Sequence, residues 1–289
     1  MSKRLGLALG GGGARGLAHL GVLLGLEEAG ISISMIAGTS MGAVMGAAKA
    51  IGADLQLIAK VLQSIDLNSM LQVTDSTVRE LQKILGRSMV EYVRGSAWRE
   101  EDAHPHDLAR LRELFRLLTA GKSFNDAEIP FAAVAADLET GERVVLREGP
   151  LYEGVVASTS VPGVFSPVAY DGQYLIDGGV VDKLPVDVVI DMGAEAVVAV
   201  DTGAPMNRKI TTCLDALLQT QRVTSSHLTN LQLLGAAERL DGELIVIQPD
   251  VGWIRMFAFE HARYAIQAGK EAIQAHLNEI VKLADLHTA

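Results

Sequence analysis

An apolar run from Ile31 to Ala37 stops at Gly38, and a run of small and apolar residues from Ala43 to Ala50 begins just after Gly42. Between them stands Gly38-Thr39-Ser40-Met41-Gly42. The spacing predicts strand, turn and helix with no room to spare. Ser40 then sits on a sharp, strained turn with its hydroxyl exposed, because a side chain at either glycine would clash with neighbouring backbone. A helix starting there aims its positive end at the serine, where negative charge develops when an ester is attacked. A glycine-rich turn whose serine merely caps a helix uses the same residues. The spacing alone leaves both readings open.

The chain before this stretch repeats the pattern. Arg4–Leu9 reads as a short apolar strand, followed by Gly10-Gly11-Gly12-Gly13-Ala14-Arg15-Gly16 and a helical pattern over Leu17–Ala29 that Gly30 ends. Two strand–helix units in succession predict a parallel sheet with helices on its faces. Ile31–Ala37 is the expected second strand and Gly42–Ile51 the second helix.

Between Asp54 and Glu128 the apolar spacing turns helical: Leu55, Ile58 and Leu62, then Val78, Leu81 and Leu85, then Leu108, Leu111, Phe115 and Leu118. Thr77-x-x-Glu80 has the form of a capping box, and Ser96–Asp107 is polar. The segment 54–128 is expected to be a helical insertion or cap without strands, with part of its apolar surface facing an acyl chain or lipid; an ordinary helical layer covering the sheet edge is the alternative, and charges placed at Leu111 and Phe115 separate the two. Strands resume at Phe131–Ala136 and Arg143–Leu146, with a helix over Leu151–Ser158. Val168–Tyr170 and Gln173–Ile176 form a hairpin over Asp171-Gly172 that delivers Asp177-Gly178-Gly179. A helix over Pro185–Met192, a strand over Ala196–Val200, a helix from Cys213 to Leu240, a strand over Leu244–Gln248 and a closing amphipathic helix complete the chain.

Composition narrows the function classes. The 289 residues carry a net charge of -10, which argues against nucleic acid and against a standing attraction to anionic membranes, though not against transient contact with a lipid surface. The single cysteine, Cys213, excludes an internal disulfide and fits a reducing compartment. The apolar N-terminal run is short and broken by glycines and Arg15, so it reads as a buried strand rather than a signal peptide. No run of about 18 apolar residues is present.

The glycine loop admits three chemistries. Gly11-x-Gly13-x-x-Gly16 matches the dinucleotide fingerprint, yet the second strand ends without the carboxylate that would hold a ribose. A phosphate loop needs Gly-Lys-Ser/Thr, which is absent. As an oxyanion hole, the loop would open at the same carboxyl edge of the sheet as Ser40, so donors and nucleophile would face one point. A nucleophilic serine also needs a base. None of the seven histidines follows a strand in the place an α/β-hydrolase uses, and His19 reads as a packed core residue. Asp177 is better placed. It ends a strand, and two glycines let it approach another backbone. Burial raises an aspartate's proton affinity and suits it to take a proton from serine. A plain hairpin-exit turn remains the alternative.

Gly11-Gly12-Gly13-Ala14-Arg15-Gly16, Gly38-Thr39-Ser40-Met41-Gly42 and Asp177-Gly178-Gly179 together resemble the patatin-like phospholipases, serine lipid acyl hydrolases with a Ser–Asp dyad. Asp137-Leu138-Glu139-Thr140-Gly141 and Ala157-Ser158-x-Ser160-x-Pro162 are similar to structural signatures of that family. The resemblance takes in compact bacterial members, including those similar to the catalytic part of neuropathy target esterase. The resemblance implies a single domain over 1–289: a three-layer α/β/α sandwich with a mainly parallel sheet and a helical insertion. It implies Ser40 as nucleophile, Asp177 as base and the Gly11, Gly12 and Gly13 backbone as oxyanion hole. Arg15 and Gly16 would order the loop, and Gly38 and Gly42 would form the elbow. It implies no metal and no organic cofactor. The substrate would be a phospholipid or lysophospholipid ester, met in the cytoplasm or at the inner membrane surface. A carboxylesterase on small soluble esters and a non-hydrolytic nucleotide-binding module are the alternatives.

Overall fold

The structure is a computed structural model that describes residues 3–64, 105–162, 164–206, 210 and 213–285. The expected capping box at Thr77–Glu80, the stripe at Val78–Leu85 and most of the polar stretch Ser96–Asp107 lie outside these residues.

The described strands form one eight-stranded mixed sheet. The strands are β1 (Leu5–Leu9), β2 (Met35–Thr39), β3 (Phe131–Asp137), β4 (Arg143–Leu146), β5 (Val168–Tyr170), β6 (Gln173–Asp177), β7 (Ala196–Val200) and β8 (Leu244–Ile247). Their order is β5-β6-β3-β2-β1-β7-β8, with β4 paired to β3. β3, β2, β1, β7 and β8 run parallel, while β4, β5 and β6 pair antiparallel. This is the mainly parallel sheet that the strand–helix alternation predicts.

Alternation along the central strands builds two cores. Leu5, Leu7, Leu9, Ile36, Val198 and Val200 point to one face, under α1 (Ala18–Glu28), α2 (Met41–Ala50) and α8 (Ala262–Asp285). Ala8, Met35, Ala37, Val197 and Ala199 point to the other, under α6 (Val186–Asp191) and α7 (Cys213–Arg239). The result is helix, sheet and helix in three layers. Small residues set the spacing of α1 against α8: a methyl group on Gly21 would run into the Ile266 carbonyl, and one on Gly269 into the Ala18 carbonyl.

Two local outcomes bear on the sequence expectation. The second strand starts at Met35, not Ile31. Ile31 donates its N–H to the Leu26 carbonyl at 3.0 Å, and Gly30, at φ +67°, donates to Glu27 at 3.0 Å. That is the glycine stop of α1, and Ile31 is the apolar residue that packs behind it rather than a strand residue. The strand gains Gly38 and Thr39 at its other end and so runs up to the serine.

The second outcome concerns Leu111 and Phe115 and matches the helical-layer alternative for this segment. Both lie on α4 (Pro105–Leu118) and are buried, 3% and 6% exposed, within the main core. Arg112 ties the same helix to α5 (Leu151–Thr159) through Glu153 at 2.9 Å. α4 therefore packs onto α5, which itself lies on the sheet, and its apolar stripe is spent on that packing. An amphipathic stripe shows that one face is covered and not by what.

Candidate active site

The elbow forms where β2 meets α2. Ser40 has φ +54° and ψ -123°, a backbone conformation that costs a non-glycine residue on the order of 1–3 kcal/mol. Tight packing holds it there. A side chain on Gly42 would strike the Leu9 carbonyl of β1, and one on Gly38 would strike Gly42 itself. Ser40 is 8% exposed. Its N–H donates to the Ser158 hydroxyl at 2.9 Å, and that hydroxyl donates to the Val134 carbonyl at 2.6 Å. The neighbouring Thr39 hydroxyl donates to the Asp182 carbonyl at 2.9 Å.

Asp177 arrives from β6. Asp171 and Gly172, at φ +48° and +78°, make the tight turn of the β5–β6 hairpin, as the Asp-Gly pair predicts. The Asp177 N–H donates to the Ser160 carbonyl at 2.9 Å. Gly178 brings the turn close to β3, where a side chain would collide with the Val134 carbonyl. Asp177 and Ser40 come together: the Ser40 hydroxyl lies near enough to the Asp177 carboxylate to favour its ionised form. Gly179 donates its N–H to the same carboxylate at 2.8 Å. Burial nonetheless dominates and pushes the Asp177 pKa up to about 6, while the Ser40 hydroxyl and the Gly179 hydrogen bond pull it part of the way back.

The glycine loop leaves β1 beside the elbow, and a methyl group on Gly11 would sit 3.4 Å from the Ser40 Cβ. Its amides are not equivalent. Gly10 donates to the Val200 carbonyl at 3.0 Å, Gly11 to the Lys183 carbonyl at 2.9 Å and Ala14 to the Met256 carbonyl at 2.7 Å. Gly12 and Gly13 have no backbone acceptor among the described residues. Gly12 passes so close to Thr202 that a side chain would overlap the Thr202 hydroxyl. Gly13, at φ +57°, lies against the Met256 carbonyl. Of the three glycines, Gly11 has its N–H already engaged, while the amides of Gly12 and Gly13 have no backbone acceptor among the described residues. The first amides of α2, Met41 and Gly42, have no intrahelical partner either.

Arg15 is buried, with Nε donating to the Thr202 carbonyl at 3.0 Å and Nη1 to the Ile254 carbonyl at 2.9 Å. Burial, then Arg222, lowers its pKa to about 10, with Asp201 opposing; it stays charged at neutral pH. It thus ties the glycine loop to two segments more than 180 residues further along the chain. Gly16 lies against the Met41 side chain. His19 is fully buried, with Nε2 2.7 Å from the Gly10 carbonyl, and burial depresses its pKa to about 4, so it is neutral. It is a core residue that braces the glycine loop, as its position on the apolar first helix suggests.

Two pieces of the site carried little sequence signal. Ser158 and Ser160 look like ordinary small residues of a helix end, yet one holds the Ser40 amide and the other the Asp177 amide. The resemblance flagged them only as a signature. Ile254 and Met256 act through backbone carbonyls, which leave no mark in a sequence. Asp137, in the other signature, accepts from the Glu139 N–H at 2.9 Å and the Thr140 hydroxyl at 3.0 Å, which shapes the β3–β4 turn. An open apolar groove of about 420 Å³ lined by Leu233, Leu234, Leu244 and Val246 lies between α7 and β8, away from Ser40. Among the described residues no His, Cys, Asp or Glu cluster has the arrangement of a metal site.

A profile described as patatin-like phospholipase matches residues 7–190, which includes the glycine loop, the elbow and Asp177. An NTE family protein of Mycobacterium tuberculosis is 34% identical over 199 residues, covering 69% of this chain and 49% of the relative. Patatin-like phospholipase domain-containing protein 6 of Homo sapiens is 31% identical over 217 residues, covering 74% of this chain and 14% of the relative. Lysophospholipase NTE1 of Mycosarcoma maydis is 32% identical over 213 residues, covering 69% and 10%. The match thus spans about half the length of the mycobacterial relative and a smaller share of the other two. On the extent of the matching profile, the chain belongs to the patatin-like phospholipase family.

Proposed function

We propose that the protein hydrolyses the acyl ester bonds of phospholipids or lysophospholipids through an acyl-Ser40 intermediate, with Asp177 as the proton acceptor. The observation that carries this reading is a serine on a strained strand-to-helix elbow whose hydroxyl favours the ionised form of the buried Asp177 carboxylate, next to a glycine loop in which the Gly12 and Gly13 amides have no backbone acceptor. The names of the relatives, phospholipase and lysophospholipase, support the substrate class.

In this mechanism Ser40 Oγ attacks the ester carbonyl carbon while its proton passes to Asp177. The carbonyl oxygen becomes an oxyanion, held by the Gly12 and Gly13 amides and the first amides of α2. The C–O bond to the alcohol then breaks, and the protonated Asp177 gives its proton to the leaving alkoxide. Water attacks the acyl-serine, losing its proton to Asp177, and the fatty acid departs as Ser40 regains its hydrogen. A pKa near 6 serves both halves: the carboxylate is ionised at neutral pH and more basic than an ordinary aspartate. The nucleotide-binding alternative lacks its requirement, since β2 ends at Thr39 and runs straight into Ser40, with no carboxylate to hold a ribose.

The test is fatty acid release from lysophosphatidylcholine, with Ser40→Ala and Asp177→Asn as controls. Release by the wild-type chain and by neither variant supports the reading. Hydrolysis of short soluble esters with none of lysophosphatidylcholine would make the protein a carboxylesterase instead.

A further inference from the structure

Next to the glycine loop lies a surface that the chemistry leaves unused. The segment after β8 packs back onto the glycine loop: its Ile254 carbonyl takes the Arg15 guanidinium and its Met256 carbonyl takes the Ala14 amide. The inner side of the segment is buried, at Val251, Ile254 and Phe259. Its outer side carries Trp253 at 53% exposure and Met256 at 40%, with Tyr264 from the first turns of α8 at 42%. These are not loose side chains. The Trp253 ring packs edge-on against His261, with centroids 4.7 Å apart, and against Tyr264 at 5.1 Å. Arg255 and Arg263 are exposed around this cluster, and neither has a carboxylate partner among the described residues.

A rigid aromatic cluster ringed by arginines suits the boundary between lipid headgroups and acyl chains. Trp and Tyr place an apolar body with a polar tip there, and Arg lays its apolar stem along the surface while its charge reaches phosphate. The charge of the segment points to the lipid. Arg255 and Arg263 balance Asp250 and Glu260, in a chain whose net charge is -10. Such a surface matches a headgroup of both signs better than an anionic sheet. Its position gives it a use, because Met256 bears directly on Gly13, one of the two glycines of the loop whose amide has no backbone acceptor. We propose that Trp253, Met256 and Tyr264, with Arg255 and Arg263, seat the protein on a zwitterionic phospholipid surface and hold the glycine loop against it. This rests on the lipid-hydrolase reading for its purpose, though not for its measurement.

The sequence contains two tryptophans, so Trp98→Phe leaves Trp253 as the sole reporter. In full-length Ser40→Ala/Trp98→Phe protein mixed with phosphatidylcholine vesicles, Trp253 emission is expected to move to shorter wavelength. Bromine-labelled acyl chains are expected to quench it. Trp253→Ser in the Ser40→Ala chain should weaken vesicle binding about ten-fold, the loss expected from one buried aromatic side chain. If Trp98→Phe does not fold, subtracting spectra of Ser40→Ala and Ser40→Ala/Trp253→Phe yields the same signal. Unchanged emission, or binding that appears only with anionic lipid, overturns the proposal. Failure of the hydrolase reading looks different: the wild-type chain releases no fatty acid from the same vesicles while the emission still shifts.

Discussion

The Ser158 hydroxyl links the elbow to β3, accepting the Ser40 amide at 2.9 Å and donating to the Val134 carbonyl at 2.6 Å. It fixes the elbow backbone without touching the reacting oxygen. Ser158→Ala would leave a buried N–H and a buried carbonyl without their partner, a loss of about 1–3 kcal/mol. The elbow would then relax from its strained geometry. We expect kcat to fall while KM stays within a factor of about two, since a positioning group acts on the chemical step. Ser158→Thr, which keeps the hydroxyl, should recover part of the rate. Steady-state kinetics and thermal melts on both variants check this; a drop in stability with no drop in kcat would assign Ser158 to the fold alone.

On the proposed mechanism, Asp177 sets the pH dependence. With a pKa near 6, its ionised fraction, and so kcat/KM, should rise with pH through that value and level off above it. Asp177→Asn keeps the shape and removes the proton acceptor, and turnover should fall by about 10⁴-fold, the scale seen for an acidic partner of a catalytic serine.

The same burial predicts a gain in stability. The folded chain holds the Asp177 proton up to about pH 6, whereas the unfolded chain releases it near 3.8. Between those values the folded state binds more protons, so the wild type loses stability as pH rises toward 6, and the ionised carboxylate remains a burden above it. Asp177→Asn should therefore melt higher than wild type above that pH, by up to about 3 kcal/mol. The difference should shrink as pH falls through 6. Equal melting temperatures throughout would mean that the carboxylate is hydrated rather than buried.

Gly12 offers a free amide at a point where Thr202 admits no side chain. Gly12→Ala must push the loop away from Thr202 and move the donor. Loss of one oxyanion donor costs about 10²–10³ in kcat, and we expect that range with little change in KM. Gly11→Ala, whose new methyl would meet Ser40 Cβ at an ordinary 3.4 Å and whose amide is engaged by Lys183, should be milder. The reverse ranking in kinetics would place the oxyanion at Gly11.

Phe115 tests whether α4 serves substrate or fold. Buried at 6% exposure in the main core, it should cost about 3–5 kcal/mol when truncated to alanine. Activity on long-chain and short soluble esters should fall together, in step with unfolding seen by chemical denaturation. A selective loss on long-chain substrate, with stability unchanged, would restore the acyl-chain role.

Where chemistry was local, the sequence was explicit. Gly38-x-Ser40-x-Gly42 specifies its own turn because each glycine clears a neighbouring carbonyl, and Asp171-Gly172 specifies the hairpin that carries Asp177 to the site. Pairing Ser40 with Asp177 was not local, for they are far apart in sequence and meet only because β6 lies beside β3 and β3 beside β2. The family resemblance supplied that pairing. Contacts made by backbone atoms, such as the Met256 carbonyl on Ala14, left no trace in the residue pattern. Ile31 misled because a helix stop and a strand both call for an apolar residue after a turn, and spacing alone does not separate them.

The central claim is that Ser40 becomes acylated. Its most direct test is intact-protein mass spectrometry after treatment with a fluorophosphonate, followed by peptide mapping. The account predicts one adduct, on Ser40, slowed severely by Asp177→Asn and absent in Ser40→Ala. An adduct on another residue, or none on a folded protein that still hydrolyses ester, would contradict it.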